Sequence, residues 1–372
     1  MALIAPSPPS SSSLTNEQAQ AILGQHVEKL ILGAESETAF VEISLLARNN
    51  FSFTFSVGVT TSGGRRNVFV KIPKIDMRGS MPSILPITFK DRDLAKEEES
   101  SLKLLDEKWQ ADDVDVRWVK LCGTLLEYNA LITERVFADE AFTVFRRFDL
   151  RRRFGFRQDG RRLRGSMARL GAALGRFHHA NSSSVVFRLA EALPKLEFYC
   201  REIAASTGSL WPERVLGQLQ SMGDMEVTGV EVPTLKGIDI RNVLIDGQDR
   251  LYLLDPGRTK VTHRESDLAR FIMTYRILYW GSKLLLLFRE PDPKAETAFL
   301  DAYYSNSQPA CPGLLNFFLL KEQLKHWHTA LDSLQRRPWP SLLKYIVAKV
   351  YVNPFYTRQI MAQLKLIKKW NK

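Results

Sequence analysis

Asn242 and Asp255 stand 13 residues apart, at the two ends of the run NVLIDGQDRLYLLDP. Val243, Leu244 and Ile245 have strand character, residues 246–250 are a polar turn, and residues 251–254 are a second apolar strand. The two polar residues are equidistant from a turn centre at Gln248 and Asp249. Regular antiparallel pairing would set them opposite each other, with Cβ atoms about 5 Å apart. An amide oxygen and a carboxylate at that separation can share a small hard cation such as Mg²⁺. Gly257, two residues past the carboxylate, lets the chain turn away sharply. Asn and Asp also flank hairpins simply as turn formers, so the hairpin alone leaves both uses open.

A second group able to do chemistry lies upstream. Lys71 sits in VFVKIP between Val70 and Ile72, on a strand whose neighbours are apolar. A buried ammonium needs an anionic partner. Residues 91–108 have a helical pattern with Leu94, Leu102 and Leu105 on one face, and Glu98 stands four residues from both Leu94 and Leu102. Glu98 is thus placed to face inward and pair with Lys71. The alternative is that Lys71 faces solvent and Glu97, Glu98 and Glu99 are surface charge.

Positioning these groups needs an organised chain. The 372 residues are 45% hydrophobic and 25% charged, as in globular proteins, and suffice for one large two-lobed domain or two ordinary ones. A helical pattern over 15–32 precedes strands in FVEISLLA, FSFTFSVGV and NVFVKIP, with two more around RWVKLCG and ALITERVFA. Beyond that the pattern is mainly helical, interrupted by the hairpin, and 268–288 reads as a buried helix. Strands first and helices later predict an α+β fold with a sheet-rich N-terminal part and a helical C-terminal part. Residues 1–14 read as a disordered Pro/Ser tail without signal-peptide character. The three cysteines, Cys122, Cys200 and Cys311, form no disulfide framework or zinc spacing, which points to a reducing, cytoplasmic setting. The net charge of +11 favours anionic partners without choosing among them.

The order of these pieces resembles one family. VFVKIP resembles its lysine strand, LAKEEESSLKLL its paired-glutamate helix, and LITERV its strand into the hinge. LGAALGRFHH, with His178, resembles its L-x-x-L-H helix. NVLID…LLDPGR resembles its metal hairpin, and SDLARF, with Asp267, its Asp-Leu-Ala segment. Together they are similar to the aminoglycoside phosphotransferase and choline kinase branch of the protein-kinase-like superfamily, including its lipopolysaccharide-kinase relatives. The resemblance implies a two-lobed α+β fold, with a sheet N-lobe over 15–137 and a helical C-lobe over 138–372 that carries the hairpin at 235–258. It implies ATP and Mg²⁺ as cofactors. Lys71 would hold phosphates and Glu98 would orient it. Asn242 and Asp255 would ligate the metal, and backbone at Glu134, Arg135 and Val136 would meet the adenine. His178 and Asp267 would brace the structure.

Two places depart from the family. The segment SLLARNNFSF, where a glycine-bearing nucleotide loop belongs, has none, so Asn49 and Asn50 would have to make the tight turn. The family also carries His-Gly-Asp, with the aspartate five residues before the asparagine. Here that position is Gly237, and the nearby carboxylate is Asp239. Asp239 is the candidate base for the acceptor hydroxyl if the loop is shorter; otherwise the chain is a pseudokinase that binds nucleotide or an anionic glycan.

The acceptor would be a small molecule or a cell-envelope glycan or glycolipid. The arginine-rich segment RRFDLRRRFGFRQDGRRLR (146–164) suits an anionic acceptor, although charge runs are usually solvated faces. No recognised RNA-binding module accompanies it, which disfavours nucleic acid. The C-terminal helix pattern, with Ile360, Leu364, Ile367 and Trp370 among lysines, either packs on the C-lobe or lies on an anionic membrane surface.

Overall fold

The computed structural model describes residues 16–32, 38–48, 52–61, 64–74, 89–109, 115–222, 225–278, 291–307, 309 and 311–370. The N-terminal tail and the Asn49–Asn50 turn lie outside these residues. The chain divides into two compact units. The first comprises residues 1–140, 235–237 and 242–259, and the second comprises 141–234, 238–241 and 260–372.

In the first unit, strands β1 (Thr38–Arg48), β2 (Ser52–Thr61), β3 (Gly64–Pro73), β5 (Leu121–Leu125) and β6 (Ala130–Glu134) form a sheet in the order β1-β2-β3-β6-β5. Between β3 and β5 come helix α2 (Phe89–Lys108) and the short strand β4 (Val116–Trp118). All pairings in the five-stranded sheet are antiparallel. The alternation of β3 decides what lies on each face. Val68, Val70 and Ile72 join Phe53, Phe55, Val57 and Val59 of β2 in the core under helix α1 (Asn16–Leu32), which contributes Leu23 and Val27. Successive side chains of a strand point to opposite faces, so Phe69 and Lys71 must face the other way. On β2 the opposite set is hydroxylic: Ser52, Thr54 and Ser56 are buried beside that second face. Lys71 is paired with Thr54 on one side and Leu131 on the other.

The run RWVKLCG, read above as one strand, divides between sheets. Arg117 and Trp118 belong to β4, while Leu121 begins β5. The strand β7 (Asp139–Glu140) and the hairpin strands β10 (Val243–Ile245) and β11 (Leu251–Leu253) complete a second sheet, ordered β4-β11-β10-β7. β11 runs parallel to β4, and β10 antiparallel to β7. These pairings place the hairpin in the first unit rather than in the C-terminal region where the sequence suggested it.

The second unit is mainly helical. It holds α3 (Ala141–Arg153), α4 (Arg157–Ala180), α5 (Leu189–Thr207), α6 (Trp211–Gln220), α7 (Glu265–Ile277), α8 (Pro293–Ser305), α9 (Pro312–Gln335), α10 (Ser341–Val347) and α11 (Asn353–Trp370). A small sheet of β8 (Ser183–Arg188), β9 (Glu226–Leu235) and β12 (Thr259–His263) accompanies them. The helix expected over 268–288 is α7, which ends at Ile277; residues 279–290 lie outside the described set. No helix among the described residues is long and apolar enough to cross a membrane.

Helices α4 and α8 cross closely because two glycines leave room. A Cβ at Gly171 would stand 2.1 Å from the Phe299 carbonyl oxygen, and one at Gly175 would stand 2.5 Å from that of Tyr303. The crossing sets His178 Nδ1 2.8 Å from the Tyr303 hydroxyl, and His178 Nε2 lies 3.4 Å from the carboxylate of Asp267 on α7. The backbone has no slack at these contacts. Gly171→Ala therefore destabilises the protein by about 1–3 kcal/mol through overpacking, measured by chemical denaturation, and Gly171→Val by more.

Candidate active site

The Lys71 ammonium sits on two carboxylates. Its Nζ donates to Glu98 Oε1 at 2.8 Å and Oε2 at 2.9 Å, and lies 2.7 Å from Asp255 Oδ1. Glu98 comes from the buried face of α2, which also presents Asp91, Ala95, Ser101, Leu102 and Leu105. Leu94, placed on that face by the sequence pattern, is only half-buried. Burial pushes the Glu98 carboxyl up to about 7, against the pull of Lys71 and with the nearby Asp255 charge adding to the rise. Burial alone would lower the Lys71 pKa, but Glu98 and Asp255 outweigh it and raise the value. The lysine is thus a fixed cation.

These three groups line a cavity of about 370 Å³. Asn242, Glu134, Arg135 and Val136 line it too, as do Ser52, Thr54, Phe69, Thr133, Leu244 and Leu254. Seven of the eight residues singled out by the sequence thus converge on one space within the first unit. Apolar walls on which charged and hydroxyl side chains converge have the character of a small-molecule site. Glu134 is anchored at its carboxylate by the Lys120 amide at 2.9 Å, and its own amide donates to the Lys120 carbonyl at 2.9 Å. Arg135 donates to the Ser56 hydroxyl and stacks over Phe137.

The hairpin register differs from the symmetrical pairing expected. Val243 pairs with Leu253 and Ile245 with Leu251, while the Leu254 amide donates to the Asn242 carbonyl at 2.7 Å. Asp255 is therefore one residue beyond the position across from Asn242. The turn sets this offset. Asp246 accepts from the Gln248 and Arg250 amides at 2.9 and 3.0 Å, from Arg250 Nε at 2.8 Å, and from the Tyr252 hydroxyl at 3.1 Å. Asp249 takes a left-handed conformation, with φ 63°.

Asp255 is itself left-handed, with φ 47°. Aspartate tolerates this region better than most residues, though it is sparsely populated. Immediately beyond it, the backbone of Gly237 comes so close that a Cβ there would be 1.7 Å from the Asp255 carbonyl oxygen. The Gly237 amide donates to the Pro256 carbonyl at 2.8 Å, and its carbonyl accepts from Asn242 Nδ2 at 2.8 Å. Gly237, expected to ease a shortened loop, thus fastens both ends of the hairpin.

The donor set fits a hard cation. The Asn242 amide nitrogen is engaged, and its Oδ1 accepts no hydrogen bond among the described residues. An amide oxygen and a carboxylate are the ligand types Mg²⁺ takes alongside water and phosphate oxygens. Among the described residues, no group of three or more His, Cys, Asp or Glu side chains offers another metal site.

Asp239 belongs to the second unit and is occupied. Its Oδ1 accepts from the Arg241 amide and from Arg241 Nε, both at 2.9 Å, and its Oδ2 accepts from Arg241 Nη2. The sequence reading missed this pairing, although Arg241 stands two residues away. It also missed the Lys71–Asp255 contact, which joins residues 184 positions apart and leaves no local signal.

The sequence matches no protein-family model and no curated protein. Solved structures do share the fold. A choline kinase from Cryptosporidium parvum is 11% identical, with a TM-score of 0.56 over 94% of this chain and 97% of that one. A glucosamine kinase is 13% identical, with a TM-score of 0.52 over 93% of this chain and 86% of that one. The chain thus shares its kinase-like fold with these two structures.

Within this kinase-like fold, the basic segment 146–164 is largely consumed internally. Arg152 and Arg153 bind the buried Asp149, Arg151 pairs with Asp159, and Arg164 pairs with Asp292. Arg147, Arg157 and Arg161 remain exposed.

The Asp246 network predicts how the hairpin responds to acid. Desolvation raises the Asp246 pKa, but the hydrogen bonds from Arg250, Gln248 and Tyr252 prevail and bring it down to about 2. A depressed carboxylate stabilises the fold above its unfolded value and loses that contribution as pH falls through its folded value. Asp246→Ala accordingly lowers stability near neutral pH by about 1–3 kcal/mol, and its difference from wild type shrinks as pH falls from 4 towards 2 in denaturation titrations.

Proposed function

We propose that this protein is an ATP- and Mg²⁺-dependent phosphotransferase that phosphorylates a hydroxyl of a small molecule or glycan. The observation that carries the reading is a lysine held between Glu98 and Asp255 at a cavity also lined by Asn242. A fixed ammonium in a largely apolar cavity binds phosphate oxygens more strongly than it would in water. Glu98 positions Lys71, and an entering phosphate would take the place beside Lys71 that Asp255 now shares. Asn242 and Asp255 would hold the metal, which when bound neutralises charge on the phosphates. The backbone at Glu134–Val136 would receive the base.

Asp239 is the proposed base. In this role it orients the acceptor hydroxyl and takes its proton on a carboxylate oxygen, which requires Arg241 to release that oxygen. The acceptor class follows from the exposed Arg147, Arg157 and Arg161, which favour a glycan or small molecule bearing negative charge.

The Arg241 clamp also supports a second reading, a pseudokinase that binds nucleotide without transferring phosphate. ADP release from ATP and Mg²⁺ separates the two, measured across choline, ethanolamine, amino sugars, aminoglycosides and lipopolysaccharide core sugars. The kinase reading expects acceptor-dependent turnover that falls about a hundredfold or more in Lys71→Met, and as steeply in Asp239→Asn. Nucleotide binding with negligible turnover by wild type and Asp239→Asn alike would favour the pseudokinase.

A further inference from the structure

No residue of helix α10 is buried, although its sequence is SLLKYIV; only Lys344 and Val347 are half-buried. Leu342 is 70% exposed, Tyr345 57%, and Val350, just past the helix, 71%. Leu343, Ile346 and Trp339 are exposed as well. Leu342, Ile346 and Val350 follow at steps of four, so the apolar side chains gather on one side. Isolated exposed leucines need no explanation, but a contiguous group of this size marks a contact surface.

The surrounding charge indicates what makes the contact. From residue 333 to residue 372 the chain carries nine lysines and arginines and no aspartate or glutamate. Arg337, Lys344 and Lys349 accompany the apolar group, with Lys344 donating to the Gln335 carbonyl at 2.7 Å, while Arg336 is paired with Asp332 at 2.9 Å. Arg337 lies over the Trp339 ring at 4.8 Å, and Lys349 over the Tyr345 ring at 5.3 Å. Lys349 and Arg358 also line a neighbouring cavity of about 580 Å³, together with Ser206, Thr207 and Ser209. Leucine, isoleucine and tryptophan ringed by cations is the make-up of a helix lying in a membrane interface, where lysine stems follow the apolar surface and their heads reach the phosphates.

The C-terminal helix α11 does not compete for this role. Ile360, Leu364 and Ile367, the face that could have met a membrane, are buried within the second unit. We infer that the segment 336–350, led by α10, docks the protein on a bilayer bearing anionic headgroups. Nucleic acid would account for the charge but not for the exposed leucine and isoleucine side chains.

The test is co-sedimentation of the full chain with phosphatidylcholine vesicles, with and without phosphatidylglycerol. Binding is expected only to the anionic vesicles and should weaken as salt rises. Leu342→Ser with Ile346→Ser should reduce it about tenfold, since apolar burial is lost. Lys344→Gln with Lys349→Gln should do so by a similar factor. All four side chains are outside the core, so circular dichroism and the melting temperature should stay at wild-type values. Absence of binding to anionic vesicles overturns the inference, as does undiminished binding by the Leu342/Ile346 variant. Self-association or RNA binding abolished by these substitutions, without vesicle binding, would reassign the surface and likewise overturn it.

Discussion

A largely enclosed lysine, its side chain 15% exposed, is the constraint from which the rest of the site follows. Lys71 lies on the hydroxyl-lined face of the sheet because its neighbours Val70 and Ile72 are committed to the opposite face. There it has little access to water, and an unpaired ammonium would be strongly unfavourable. Glu98 comes to it from α2 and Asp255 from the end of the hairpin. The triad therefore joins three segments that are distant in sequence, and it fixes where the cavity lies. Two carboxylates on one ammonium leave an excess of negative charge, which is the condition a divalent cation relieves.

The hairpin must deliver Asp255 to that point, and its devices are local. Asp246 ties the turn, the register carries Asp255 one residue past Asn242, and Gly237 closes against its backbone. Each is a tight backbone arrangement with little tolerance for added atoms. The parallel pairing of β11 with β4 then holds the hairpin to the first unit, together with the lysine and glutamate it serves.

Much of this could be read from the sequence because it rests on periodicity. Strand alternation put Lys71 against the apolar pattern, and helical spacing put Glu98 inward; both are short-range signals. The hairpin's existence was equally legible. Its register was not, because five turn residues allow more than one pairing and the Asp246 hydrogen bonds choose between them. Nor was the splitting of RWVKLCG between two sheets, which depends on β4 finding β11 more than a hundred residues later. The arginines of 146–164 looked like a binding surface because their partners Asp159 and Asp292 are invisible until the helices pack. The C-terminal helix, open in the sequence between packing on the C-lobe and lying on a membrane, buries Ile360, Leu364 and Ile367, while α10 stays exposed. Both are apolar and basic in sequence, and only packing decides which one keeps its apolar side chains exposed.

The central claim is that the Lys71 cavity takes nucleotide together with a metal held at Asp255. Calorimetric titration with a non-hydrolysable ATP analogue, with and without Mg²⁺, tests it most directly. The account predicts binding to wild type that tightens markedly with Mg²⁺, and a loss of that metal dependence in Asp255→Asn. Binding that is indifferent to Mg²⁺ in both proteins, or no binding at all, would contradict it.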